Sequence, residues 1–355
     1  MTWDKNKIEN LLTKINYRMN NVESKKELSI LMFDYFSLIE ILKTFSVYEY
    51  QDIIANHNLK NLKFSDLKDY YEEFYKDSFN CLKNNRDCIF NVSRFVETTK
   101  LSSPKLTLNK RIGENIYLDM IGEFFYQFDK EHYNIFKELV DGNIHFAKND
   151  SEVGNRAKGK CYHLLSTEET FIITNFKDRK NVAVLPHEIA HAYELSQLKN
   201  IINRSSWHFS TFTESYPKFM ELAFLDYFLN SEYSSYFLKL KYYILDSLNL
   251  SADYALSYFF NLNSGNEFEF VNIPKELKLT KKYIDYVISD LFAIYLFNLY
   301  KNDKEQFNNV IRKFHSYKGK SDELIWNLIS DEKLIEAYKS EINSYYNEVT
   351  LSRLK

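Results

Sequence analysis

The chain has 355 residues and a formal net charge of −3. Its 7 glycines and 4 prolines lie far below the average usage of about 7% and 5%, which argues against turn-rich β architectures and predicts a mainly helical protein. Acidic and basic residues are interspersed, so the charge pattern predicts neither a nucleic-acid binder nor an anionic-membrane binder. We expect a small or peptidic partner instead.

The chain begins without a basic segment followed by an apolar run, so no signal peptide is expected. The most apolar stretch, residues 287–300, is interrupted by Asp290 and Asn298, and it is a poor membrane span for that reason. These features predict a cytoplasmic protein that does not enter a membrane.

Apolar residues recur at steps of three and four over residues 8–97, which is helical periodicity. The proline at position 104 disfavours helix in the residue before it, and we place a domain boundary there. The sequence therefore predicts an N-terminal helical lobe over residues 1–105 and a second region over residues 106–355.

The second region opens with a helical block over residues 113–140 and then turns polar over residues 151–160. Residues 171–176 read Phe-Ile-Ile-Thr-Asn-Phe and predict a short strand, so small sheet segments are expected here. From residue 182 the pattern is helical to the end, apart from a predicted loop over residues 261–274. The overall expectation is a mainly α fold with a small mixed β-sheet.

The sequence His-Glu-Ile-Ala-His occupies residues 187–191. On a helix, His187 and His191 lie about 40° apart on one face, so both imidazoles can reach one ion. Glu188 lies about 100° round from His187, where a carboxylate can take a proton from a metal-activated water. Pro186 suits a first helical turn, so the helix is expected to begin there and to be buried. The pattern predicts a zinc site with Glu188 as general base.

Chance alone is the alternative, because random placement of the chain's 8 histidines gives such a motif in roughly one chain in seventy. A catalytic zinc also needs a third protein ligand. Glu194 lies on the same helix face and is one candidate for the third ligand. Three ligands in line on one helix would surround a tetrahedral ion badly, so the alternative is that Glu194 is a solvated or salt-bridged side chain. Glu214 lies at the head of a new apolar-periodic segment, where an ordinary helix-start carboxylate is the alternative.

Several segments together resemble the thimet-oligopeptidase and oligoendopeptidase F metallopeptidases. They are the Gly-Lys segment within residues 158–162, the strand 171–176, the zinc helix within 182–192, and a Phe-x-Glu at 212–214 followed seven residues later by Glu221. The resemblance implies zincin-like catalytic helices in a clam-shaped, two-lobed helical architecture. It also implies one zinc ion per chain with Glu214 as third ligand, although Pro217 lies three residues after Glu214 where the family has proline two residues after.

Tyr283 and Tyr286 resemble the family's Tyr-x-x-Tyr segment, whose hydroxyls face the scissile carbonyl. The resemblance implies that either phenol stabilises the oxyanion, and a packed ring is the alternative for each. The family's upstream histidine and glycine-rich loop have no counterpart, because residues 272–278 contain neither residue type.

Other polar residues near the motif have competing interpretations. Glu221 is expected either to orient a zinc-bound imidazole as an outer acceptor or to form an ordinary helix salt bridge. His208 and His163 are expected to be surface histidines. No Gly-x-Ser-x-Gly, Walker or Gly-x-Gly-x-x-Gly motif is present, so serine-hydrolase and nucleotide-binding functions have no support.

The resemblance implies a zinc metalloendopeptidase that hydrolyses bonds in short oligopeptides. A peptide could lie along residues 171–176 if that strand is an exposed edge. One alternative is a catalytically weak or inactive helical protein that binds peptides and retains the zinc site. The other is a metal-free helical protein in which the motif arose by chance.

Overall fold

A computed structural model describes residues 5–45, 68–99, 101, 112–148, 159–174, 182–262 and 275–354. The helices are α1 (Lys5–Asn21), α2 (Lys25–Phe45), α3 (Lys68–Asn84), α4 (Arg86–Thr98), α5 (Glu114–Phe128), α6 (Lys130–Val140), α7 (Val184–Gln197), α8 (Ile201–Phe209), α9 (Ser215–Tyr227), α10 (Ser234–Leu262), α11 (Lys275–Asn302), α12 (Lys304–Tyr317), α13 (Asp322–Trp326) and α14 (Asp331–Leu354). The strands are β1 (His145–Lys148), β2 (Gly159–His163) and β3 (Thr170–Thr174). The predicted mainly helical fold with a small mixed sheet is confirmed.

The chain divides into two compact units, each made of two separate stretches of sequence. Unit 1 comprises Met1–Tyr71 and Ile112–Arg204, and unit 2 comprises Glu72–Arg111 and Ser205–Lys355. This division differs from the one expected at residue 105, and Pro104 itself lies outside the described residues. The reason is that α4 packs on α10 and α14, far along the chain, instead of remaining with α1 and α2.

The core of unit 1 joins the first two helices to one face of the sheet. Apolar side chains of α1 and α2 pack with Leu164, Phe171 and Ile173. Because side chains alternate along a strand, Ile172 points to the opposite face, where α7 packs on β2 and β3. Residues 171–174 are all buried, as expected for a strand covered on both faces.

The sheet has the order β1-β3-β2, with β3 parallel to β1 and antiparallel to β2. The suggestion that the strand predicted over residues 171–176 is an exposed edge is therefore wrong. Both sides of β3 are paired, so its backbone groups are already hydrogen-bonded within the sheet. Residues 175 and 176 lie outside the described residues.

Unit 2 is built around α11, which packs on α9, α10 and α14. Residues 287–297 of this helix are buried on every side, because neighbouring helices surround it. The predicted loop over residues 261–274 begins later than expected, since residues 261 and 262 still belong to α10, and residues 263–274 lie outside the described part. Within the described ranges, we find no helix with both the length and the apolar character that crossing a membrane requires.

Candidate metal centre

Helix α7 carries the His-Glu-Ile-Ala-His motif and places both histidines on one face. The ring centroids of His187 and His191 lie 4.7 Å apart. His187 is buried and His191 is half-buried. Pro186 is the third residue of the helix, where its missing N–H has no intrahelical partner to lose. The predicted start and burial of this helix are therefore confirmed.

Both ends of α7 are fixed by hydrogen bonds from outside the helix. The Tyr117 hydroxyl donates to the carbonyl of Val182, just before the helix begins. The buried Arg204 guanidinium donates to the carbonyl of Leu195 at 2.8 Å, in the last turn, and to the carbonyl of His163 at 2.9 Å, at the end of β2. These contacts hold the helix against the sheet, so the direction of the histidines is set by the core of unit 1.

His163 and His208 differ in their exposure. His208 is exposed, as expected, and its ring contacts Phe209. His163 is buried, so the expectation of a surface histidine is wrong there. Its Nδ1 lies 2.9 Å from the Thr170 hydroxyl, and burial lowers its pKa to about 4. A neutral, hydrogen-bonded histidine at the end of the hairpin is a structural residue.

Glu214 is the N-cap residue of α9. It is half-buried, and it makes no side-chain capping hydrogen bond to its own helix. Pro217 lies in the first turn, so the unusual position of the proline does not disturb the helix start. The ordinary role of a helix-start carboxylate, capping the first amides, is therefore not the role of this side chain.

Polar contacts hold the segment that leads into Glu214. The Asp322 carboxylate accepts hydrogen bonds from the Ser210 hydroxyl and from the Thr211 amide, the latter at 2.9 Å. The Ser289 hydroxyl donates to the carbonyl of Thr211 at 2.6 Å. Helices α13 and α11 thus position the backbone just before Glu214.

Three potential ligand atoms come together, one each from His187, His191 and Glu214, and they lie within 4.8 Å of one another. Across the described residues, no other three side chains of His, Cys, Asp and Glu cluster in this way. Two imidazoles and one carboxylate are a donor set found in catalytic zinc sites. The residues present fit zinc in donor type and number.

Glu194 and Glu221 both occupy buried positions on their helices. Glu194 is fully buried on α7, so it is not a solvated side chain, and it does not belong to the ligand cluster. Glu221 is buried on α9 and accepts hydrogen bonds from the Lys218 ammonium at 3.2 and 3.3 Å. Of the two interpretations of Glu221, the salt bridge is therefore present.

Lys218 is a charged residue of α9 that belongs to none of the sequence motifs. Burial alone lowers its pKa, but the carboxylates of Glu221, Asp290 and Glu214 outweigh burial and raise it above the usual range. An ammonium thus lies among three carboxylates of unit 2, where it offsets their mutual repulsion. Its spacing of three residues from Glu221 on one helix was the signal available in the sequence.

The two tyrosines of α11 have different surroundings. Tyr283 stacks on Tyr254 of α10. Tyr286 is half-buried, and its pKa is raised by burial and then by the negative charge of Glu214. The phenol of Tyr286 therefore lies within electrostatic reach of Glu214.

No protein-family model matches the chain, and no curated protein matches it in sequence. In structure the chain is similar to a PZ peptidase A solved with an inhibitor, with a TM-score of 0.50 and 14% identity over 95% of this chain and 71% of that chain. It is also similar to a candidate peptidase from Chlamydophila abortus, with a TM-score of 0.49 and 11% identity over 97% of this chain and 63% of that chain. A candidate oligoendopeptidase F has a TM-score of 0.43 and 12% identity over 97% of this chain and 74% of that chain. At such identities the first likeness describes a shared fold.

Proposed function

We propose that this protein is a zinc-dependent peptidase that hydrolyses internal bonds of short peptides. The observation that carries the proposal is the cluster of His187, His191 and Glu214 beside the buried Glu188. The fold shared with a PZ peptidase A is consistent with this chemistry.

His187, His191 and Glu214 would hold the ion. Bound there, zinc supplies Lewis acidity, which polarises a carbonyl and lowers the pKa of a water molecule. Glu188 follows His187 directly on α7, so its carboxylate lies beside the ligand face and not within the ligand set. A carboxylate in that position accepts one proton from the attacking water and then delivers it to the leaving nitrogen as the C–N bond breaks.

Tyr286 would stabilise the charge that develops on the carbonyl oxygen. A phenol is protonated at neutral pH, and burial and then the charge of Glu214 raise the pKa of this one further. A neutral phenol donates a hydrogen bond, and a donor aimed at a developing oxyanion lowers the barrier to acyl transfer.

A peptide-binding protein with little or no catalysis is the second candidate. The feature that favours it is the lack of histidine and glycine in residues 272–278, where the resembling family handles substrate. Such a protein would retain zinc and bind peptides without cutting them.

The decisive experiment incubates the zinc-loaded protein with a library of short peptides and identifies products by mass spectrometry. Metal analysis of the same sample is expected to give about one zinc per chain. Glu188→Gln is the control, because an amide cannot accept the proton of water. It should retain zinc and fold yet lower kcat roughly 10²- to 10⁴-fold. Peptide binding without products supports the second candidate, and products from Glu188→Gln at the wild-type rate contradict the role of Glu188.

A further inference from the structure

Gly159 begins strand β2 and lies against helix α7. Its partner across the sheet is Thr174 of β3. A Cβ atom built on Gly159 would lie 2.3 Å from Cγ1 of Val184, 2.5 Å from Oε1 of Glu188 and 3.0 Å from Cγ of Glu188. Carbon contacts are optimal at about 3.5–4.0 Å, so even a methyl group cannot be accommodated without movement.

The backbone conformation does not explain this glycine. Among the described residues, the glycines with positive φ are Gly142 and Gly319, and Gly159 is not one of them. Any residue could adopt its extended conformation, and most would pair better in a strand than glycine does. The reason for glycine at this position is therefore the space that its missing side chain leaves.

The space is taken up by the side chain of Glu188, whose backbone is fixed while its carboxylate end can rotate. Glu188 is buried and directly follows His187, so its Cα is fixed by the same helix that carries the two histidines. On β2, burial raises the pKa of the Cys161 thiol, and the negative charge of Glu188 raises it further. The carboxylate therefore lies alongside β2.

We propose that Gly159 is a positioning residue for Glu188, and that the absence of a side chain at position 159 creates the room in which the carboxylate lies. This inference rests on the proposed function, in which Glu188 is the general base. A larger residue at 159 would turn the carboxylate away from the ligand face while leaving His187 and His191 in place.

The test compares Gly159→Ala with two other glycine substitutions in the full chain. In Gly113→Ala the added Cβ meets nothing within 4 Å, and in Gly122→Ala it lies 2.9 Å from the ring of Phe136. We expect Gly159→Ala to retain about one zinc per chain while kcat falls at least roughly 10-fold with little change in KM. Both control variants should keep the wild-type kcat per folded molecule. Wild-type kcat in Gly159→Ala overturns the proposal.

A second arm separates the contact with Glu188 from the contact with Val184. Gly159→Ala combined with Val184→Ala removes the contact with Val184 but not the one with Glu188, and should recover part of the lost thermal stability while kcat stays low. Recovery of both thermal stability and kcat overturns the proposal. Glycine at position 159 would then be required only for packing against Val184. A high-resolution structure of Gly159→Ala should show the Glu188 carboxylate displaced.

A third arm needs no catalysis and therefore survives failure of the proposed function. In the metal-free protein, Gly159→Ala should lower the Tm by a few degrees, because overpacking destabilises a core. The loss should be smaller when the same change is made in a Glu188→Ala background, where the clashing carboxylate is gone. Equal losses in the two backgrounds contradict the steric relationship itself. If the Tm loss is smaller in the Glu188→Ala background and the wild type hydrolyses no peptide, the proposed peptidase function is refuted. The placement of Glu188 by Gly159 is then still supported.

Discussion

Tyr283 stacks on Tyr254, with ring centroids 4.6 Å apart and 19° between the ring planes. Tyr286, three residues further along the same helix, is half-buried, and Glu214 contributes to its raised pKa. The stacking of Tyr283 uses its ring, which phenylalanine would reproduce. The electrostatic contact of Tyr286 uses its hydroxyl, which phenylalanine lacks.

The two tyrosines should therefore respond differently to removal of the hydroxyl. We expect Tyr286→Phe to lower kcat roughly 10- to 1,000-fold with little change in KM, because a hydrogen bond made mainly in the transition state is lost. Tyr283→Phe should keep both kcat and Tm. Steady-state kinetics and melting curves on the two variants decide this, and an unchanged kcat in both removes the tyrosines from the mechanism.

The third zinc ligand can be tested with isosteric amides. Loss of a residue that only orients a metal ligand costs roughly 10- to 100-fold in metal affinity. Glu214→Gln should lower zinc affinity by more than that, because it removes a ligand, whereas Glu194→Gln should retain zinc. If Glu221→Gln lowers zinc affinity about 10- to 100-fold, Glu221 orients a zinc-bound imidazole in addition to forming its salt bridge with Lys218. Competition with a chromophoric chelator measures all three, and equal retention by the Glu214 and Glu194 variants would reassign the ligand.

The helices that carry the motifs could be predicted because their signals are local. The apolar run before His187, together with Pro186, placed the start of α7 within two residues. The spacing of four residues between the histidines is enough to put both on one helix face. The two aromatic-rich helices α9 and α11 were likewise visible in their periodicity.

The division into units could not be predicted, because it depends on pairs that are distant in sequence. Asn91 donates a hydrogen bond to Asp331 at 3.0 Å across 240 positions. Asn249 donates to the carbonyl of Thr99 at 2.9 Å across 150 positions. No local pattern in α4 indicates these partners, so the proline-based boundary at residue 105 leaves that helix in the same lobe as α1 and α2.

The burial of charged residues could not be predicted from the sequence either. Glu194 and Lys241 look like solvated helix positions, yet both are buried. A charge becomes buried only when partners compensate it, and the partners of Lys241 come from another helix. Periodicity indicates which face of a helix is apolar, but it does not show which charged residue a neighbouring helix will cover.

Lys241 provides a test of the core of unit 2. Its ammonium lies 2.6 Å from Glu341 and 2.9 Å from Glu348, and both Lys241 and Glu341 are almost fully buried. The two carboxylates raise the pKa of Lys241 to about 12, although burial alone would lower it. Lys241→Met should cost about 3–5 kcal/mol of unfolding free energy at neutral pH, because it leaves a buried carboxylate without its countercharge.

The loss of unfolding free energy caused by Lys241→Met should depend on pH. Burial raises the pKa of Glu341 in the folded state above its ordinary value, even with the lysine in place. A raised folded pKa contributes stability at low pH that is lost as the pH rises through that pKa. The cost of Lys241→Met should therefore shrink as the pH falls toward the ordinary carboxyl range, and in Lys241→Met with Glu341→Gln it should be small at every pH. Denaturant unfolding over a pH series measures this, and a cost that grows on acidification contradicts it.

Asp322 holds the segment before Glu214 through the Ser210 hydroxyl and the Thr211 amide. Asp322→Ala leaves that amide without its acceptor, and we expect a loss of about 1–3 kcal/mol of unfolding free energy. Because the segment runs directly into Glu214, zinc affinity should also fall, by roughly 10- to 100-fold. Glu323→Ala is the matched control, since this carboxylate is exposed on the same helix and should change neither quantity. Chelator competition on the folded protein separates the two effects, and loss of stability with wild-type zinc affinity would show that Asp322 supports the fold without positioning Glu214.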